Sequence, residues 1–201
     1  MSFIICEYEK VKEGFPEFKR TLESLESSLR AKCAADWSPK TFGKLTPSAG
    51  QFGETTILPP LFRDMAMSTA SSGQMVTWNQ ELEDLGSQTI MTGSSGAAGT
   101  ILEDYKVGLA GLAFLDKSIR VSEIKMQISD RKLPRMNIEE AFAYNKPAIV
   151  FEEGYILDEE TGFELIAYVL SRGPQRIKPL GLQMNRIPNK LQVTLTGASI
   201  A

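Results

Sequence analysis

From Ile119 to Leu195 apolar and polar residues alternate in short runs, and Asp, Asn, Pro and Gly punctuate the runs. That alternation commits the last eighty or so residues to β-strands joined by tight turns, because successive side chains of a strand face opposite ways. Ile119 and Val121 share one parity, whereas Ile124, Met126 and Ile128 share the other. One extra residue at Ser122-Glu123 accounts for the change of face, and a β-bulge is expected there. A turn at Ser129-Asp130-Arg131-Lys132 follows, then a charged connector through Pro134 and a short helix at Ile138–Tyr144. Ala148–Phe151 and Tyr155–Leu157 lead into Asp158-Glu159-Glu160-Thr161-Gly162, which reads as a hairpin loop.

The next strand, Phe163–Leu170, is apolar on both faces, with Phe163, Leu165, Ala167 and Val169 on one and Ile166, Tyr168 and Leu170 on the other. Such a strand calls for the core on one side and a further element or subunit on the other. Leu191, Val193 and Leu195 alternate with Gln192, Thr194 and Thr196 in a final strand.

Upstream, Val11, Phe15, Phe18, Leu22, Leu25 and Leu29 recur at steps of four and three, which draws one apolar stripe along a helix over residues 11–34. Gly14 and Pro16 place the start of the helix proper around Phe15, with the proline in its first turn. The stripe suits either packing on the chain's own sheet or a helix contact between molecules. Residues 35–112 carry weaker signals. Thr55–Leu58 and Gln74–Trp78 suit strands, the glycine- and alanine-rich Val107–Phe114 suits a tightly packed strand, and Gly93–Thr100 suits a surface loop. The glycines of that loop lack the spacing of a dinucleotide or nucleotide-phosphate motif. The 201 residues accommodate one sizeable domain. The expected organisation is a strand-and-helix extension over 1–36 and a single antiparallel β-sandwich or jelly roll over 37–201.

The chain has no histidine, which removes the commonest general base and metal ligand. Cys6 and Cys33 are too few and too far apart for a thiolate zinc site or a disulfide framework, and reduced, partly buried thiols are expected. No nucleophile elbow is present. The carboxylates Glu152, Glu153, Asp158, Glu159, Glu160 and Glu164 are the one cluster that could form an acid pair or hold calcium, but their place at a loop tip suits solvated or intermolecular charges better. No catalytic residue, metal or cofactor is expected.

Residues 165–201 carry five basic side chains, Arg172, Arg176, Lys178, Arg186 and Lys190, and no acidic one. They suit a solvated strand face, a polyanion, or an acidic patch on a neighbouring molecule. The first residues lack a basic start and a long apolar core, so no secretion signal is expected, and no run reaches the length of a membrane span.

The late strands, from Leu112-Ala-Phe-Leu-Asp through Tyr155-Ile-Leu-Asp-Glu-Glu-Thr-Gly-Phe to Leu191-Gln-Val-Thr-Leu, resemble in layout those of single jelly-roll viral capsid proteins. The resemblance covers residues 112–201. It implies a self-assembling coat subunit, made in the host cytoplasm and carried in the virion, with copies of itself as partners and a second structural protein as a further one. The family often has a basic N-terminal arm that binds the genome; here an acidic-leaning helix stands in that place, so any nucleic-acid contact falls to the basic C-terminal stretch. Candidate subunit contacts are the helix residues Phe15, Phe18, Leu22, Leu25 and Leu29 and the acidic Glu153, Glu159 and Glu160. A non-catalytic β-sandwich that binds carbohydrate or protein is the alternative, followed by a carboxylate-based glycosidase-like enzyme.

Overall fold

A computed structural model describes residues 2–36, 52–56, 78–91, 101 and 105–186. Among the described residues, eleven strands, two α-helices and one 3-10 turn follow in the order β1 (Phe3–Glu7), α1 (Tyr8–Glu13), α2 (Pro16–Asp36), β2 (Phe52–Thr56), β3 (Trp78–Leu82), β4 (Gly86–Met91), β5 (Tyr105–Phe114), β6 (Val121–Ile128), β7 (Arg131–Lys132), β8 (Met136–Asn137), the turn Glu139–Ala143, β9 (Pro147–Leu157), β10 (Phe163–Val169) and β11 (Gly173–Arg186).

The strands form two antiparallel sheets. The larger runs β1-β9-β5-β11-β2, with β3 sharing the same edge of β11, and the smaller runs β4-β10-β6-β7, with β8 also on β6. Pairing is nested: β3 lies on β11, β4 on β10, β5 on β9 and β6 on β7 and β8. From β3 to β6, and again from β8 to β11, consecutive strands change sheets. A long antiparallel ribbon wrapped into two layers has this connectivity, which is that of a jelly roll.

The core fills the space between the sheets. Leu109, Leu112 and Phe114 of β5 and Phe151 of β9 meet Ile124 and Met126 of β6 and Phe163 and Leu165 of β10, all buried. The bulge predicted in β6 is present, since Tyr168 pairs with Glu123 but Val169 with Val121, leaving Ser122 as the extra residue. Ser122 lets Val121 and Ile124 both face inward. The helix expected near Ile138 is the 3-10 turn, and β5 is a strand buried on both faces.

Asp158–Gly162 is a corner rather than a hairpin: β9 belongs to the larger sheet and β10 to the smaller, so the loop carries the chain from one layer to the other. A glycine-containing acidic tip between two strands looks alike in both cases. It is fastened to Ile101, whose N–H donates to the Thr161 carbonyl at 3.1 Å and whose carbonyl accepts from the Glu160 N–H at 2.9 Å.

Residues 1–36, expected as an extension, are joined to the sandwich through β1, an edge strand on β9, and through the helices, which cover the outer face of the larger sheet. Thr21, Leu25, Leu29 and Cys33, four residues apart, are the buried row of α2. Two glycines make the seat: a β-carbon at Gly108 would stand 2.8 Å from Leu29 Cδ1, and one at Gly154 would stand 2.3 Å from Leu25 Cδ1. The Thr21 hydroxyl donates to the Phe151 carbonyl at 3.0 Å where β9 bulges away from its neighbour, which satisfies a buried acceptor. The expected strand at Leu191–Leu195, the loop Gly93–Thr100, and Lys190 lie outside the described residues.

Candidate interaction surface

The helix covers one outer face of the sandwich; the outer face of the smaller sheet has no such cover among the described residues. Along β10 the inward residues Phe163, Leu165, Ala167 and Val169 are buried, while Ile166 is half-buried, Tyr168 is 44% exposed and Leu170 just beyond the strand is 50% exposed. Cross-strand pairing fixes their surroundings. Tyr168 stands between Ser87 and Glu123, and Ile166 between Thr89 and Lys125. Arg135 reaches Glu123 at 3.2 Å and closes a small hollow beside Tyr168. The result is an apolar row edged by both signs of charge. Leu85, 60% exposed, precedes the paired Gly86–Val169 step and so stands at the same end of the sheet as Leu170.

The helix residues singled out from the sequence divide between two environments. Leu25 and Leu29 are buried by the chain's own sheet, at 4% and 0% exposure. Phe15, just before α2, and Phe18 and Leu22 on its flank are half-buried. Leu22 and Phe18 line a groove of about 200 Å³ with Val11, Pro179 and Leu180. Tyr8 and Lys178 stand at the same groove, with the Lys178 ammonium donating to the Tyr8 hydroxyl at 2.8 Å. The Lys178 and Lys12 ammonium groups each lie 5.4 Å from the centre of the Tyr8 ring, and Lys12 is also paired with Glu9.

The acidic loop is engaged within the chain rather than merely solvated. Lys106 of β5, almost wholly buried, sends its ammonium to Asp36 at 2.7 Å, Asp158 at 3.2 Å and Glu159 at 3.6 Å. Asp158 also holds Lys32 at 2.5 Å. Burial by itself would lower the Lys106 ammonium, but the hydrogen bonds and charges of Asp36 and Asp158 raise it above its ordinary value, so it remains charged. This cluster pins the end of α2 to the corner between the sheets. Glu160 and Glu153 are exposed, the latter beside a groove of about 310 Å³ between α2 and β9 that Arg20, Ser24 and Ser28 also line.

The basic residues separate as well. Arg176 is tied to Asp116, whose carboxylate accepts from its Nε at 2.7 Å and from its backbone N–H at 2.6 Å. Arg172 is exposed, and the backbone of Arg186 ends β11. Cys6 and Cys33 are free, as expected, and more completely buried than expected. Burial pushes the Cys33 thiol up to about 11, which makes it a poor nucleophile at neutral pH. No group of acidic or sulfur ligands able to hold a metal occurs among the described residues, and no described helix is long and apolar enough to cross a membrane.

No protein-family model matches the chain, and no curated protein is significantly similar to it.

Thr21 and Lys106 are the two contributors that sequence reasoning missed. Thr21 stands four residues before Leu25, on the row that is buried; Lys106 interrupts an otherwise apolar strand, and that interruption was the available signal.

Proposed function

We propose that the protein is a structural subunit that assembles with copies of itself, with the coat of a virus as the setting. The observation that carries the reading is the row Ile166, Tyr168 and Leu170, which no described residue covers on the outer face of the smaller sheet, while the larger sheet has its own helices. A mixed-charge rim around an apolar row is the composition of a surface that meets a protein, since apolar contact supplies adhesion and the charges fix orientation. The jelly-roll connectivity adds an analogy with shell-forming subunits, and an analogy of fold is all that it adds. The proposal involves no chemical reaction.

The test is assembly itself. The purified chain is expected to form oligomers or particles by light scattering and negative-stain microscopy. Tyr168→Asp with Leu170→Asp is expected to leave monomers with unchanged circular dichroism. A wild-type chain that stays monomeric at high concentration sinks the reading. A second reading, a binding module for a polar ligand such as a carbohydrate, draws on the hydroxyl-lined groove beside Arg20, Thr21, Ser24 and Ser28; a wild-type monomer that binds a glycan, with binding lost in Ser24→Leu, favours it.

A further inference from the structure

The β3–β4 turn presents the most exposed large apolar side chain described, Leu85, directly after two exposed acidic residues, Glu83 and Asp84. Elsewhere on the same chain lies its chemical complement. The groove between α2 and β11 is walled by Phe18, Leu22, Val11 and Leu180 and carries ammonium groups at its Tyr8 side. Lys178 makes no ion pair among the described residues; its contact is the neutral hydroxyl of Tyr8. An aliphatic side chain accompanied by carboxylates satisfies both the walls and the cation.

We infer that the Glu83-Asp84-Leu85 turn of one molecule docks into the α2–β11 groove of a second copy. The inference builds on the assembly reading above and specifies one contact of it. A molecule cannot fill its own groove. Leu82, which precedes the turn, pairs with Gly173, whereas the groove begins at Lys178, five residues further along β11, and at about 3.4 Å per residue these lie roughly 17 Å apart. Because the two surfaces differ, a one-way contact is head-to-tail and, repeated, generates rings when the rotation closes, whereas a reciprocal exchange of turns closes a two-fold dimer. One leucine and its flanking acids are too small for a stable interface alone. The turn works together with Leu170 and Tyr168 beside it, with Leu85 as the central anchor.

Sedimentation velocity on the full chain tests this. Leu85→Asp and Lys178→Glu are each expected to raise the concentration for half-assembly at least about tenfold. Asp84→Lys combined with Lys178→Glu in one chain is expected to recover part of the loss. A mixture of the Leu85→Asp and Lys178→Glu chains is expected to stop at dimers, because one chain retains a working groove and the other a working turn. Should Lys178→Glu disturb folding by circular dichroism, Lys12→Glu at the exposed rim replaces it. Assembly of all these variants at the wild-type concentration overturns the contact and leaves the assembly reading standing; a monomeric wild type overturns both.

Discussion

Leu25 of α2 occupies the space that a side chain at residue 154 would need: a β-carbon there would fall 2.3 Å from Leu25 Cδ1 and 2.4 Å from its Cγ. The close approach lets the helix lie directly on the bulged part of β9. Gly154→Ala is expected to destabilise the fold by about 1–3 kcal/mol through overpacking. Leu25→Ala is expected to cost about 2–5 kcal/mol through a cavity. The double variant should be less destabilised than the sum, because the removed leucine makes room for the added methyl. Urea denaturation of the three variants measures this, and simple additivity would refute it.

Lys106 gathers Asp36 from the helix and Asp158 and Glu159 from the corner loop. Lys106→Met keeps much of the apolar stem but leaves the carboxylates facing one another. Because those carboxylates remain partly exposed, the expected loss is about 1–3 kcal/mol, less than for a fully buried pair. Hydrogen exchange should rise first at the end of α2, near Cys33. Uniform exchange across the whole chain would contradict the idea that the cluster pins that end.

Three buried groups lose protons more reluctantly in the folded chain than in the unfolded one. Burial raises Cys33 from 9.0 to about 11 and also raises Cys6, and the partners of Lys106 raise its ammonium. The native state therefore binds more protons than the unfolded state above pH 9, so stability falls as pH rises through that range. The contribution of these groups is fully present and constant between pH 7 and 8, so the expected profile is flat there and declines from pH 9 to about 11. Cys33→Val should flatten part of the decline; an unchanged slope would show that the thiol has no share in it.

Asp116 fastens the loop after β5 to β11 by accepting from the Arg176 N–H and guanidinium and from Gln175 Nε2 at 3.0 Å. Gln175, itself buried, accepts the Arg120 N–H at 2.9 Å. Asp116→Ala should remove about 1–3 kcal/mol by thermal unfolding, and Asp116→Asn about half as much, since the amide retains one acceptor. Equal losses in the two variants would argue that charge, not geometry, holds the loop.

How far these features were legible depended on whether their cause was local. The alternation in β6 and β10 and the displaced parity at Ser122 report burial of one face, and both the strands and the bulge follow from them. The helix α2 was equally plain from its start near Phe15 to Leu29, whereas the separate α1, which ends at the left-handed Gly14, was not. The buried row of α2 was not plain either, because Thr21 and Cys33 fall outside an apolar count and the choice between neighbouring rows is made by Gly108 and Gly154, more than seventy residues away. The same distance hid the salt-bridge cluster: nothing beside Asp158 announces Lys106 or Asp36. The corner at Asp158–Gly162 read as a hairpin because a turn signal carries no information about which sheet the next strand joins.

The nested pairing of the strands has a consequence for the order of events in time. Among the described strands β3 pairs only with β11, and β5 is flanked by β9 and β11. Contacts separated by so much chain make folding slow. During synthesis β3 and one edge of β5 therefore wait for Gly173–Arg186, the last described strand, before the larger sheet can be completed.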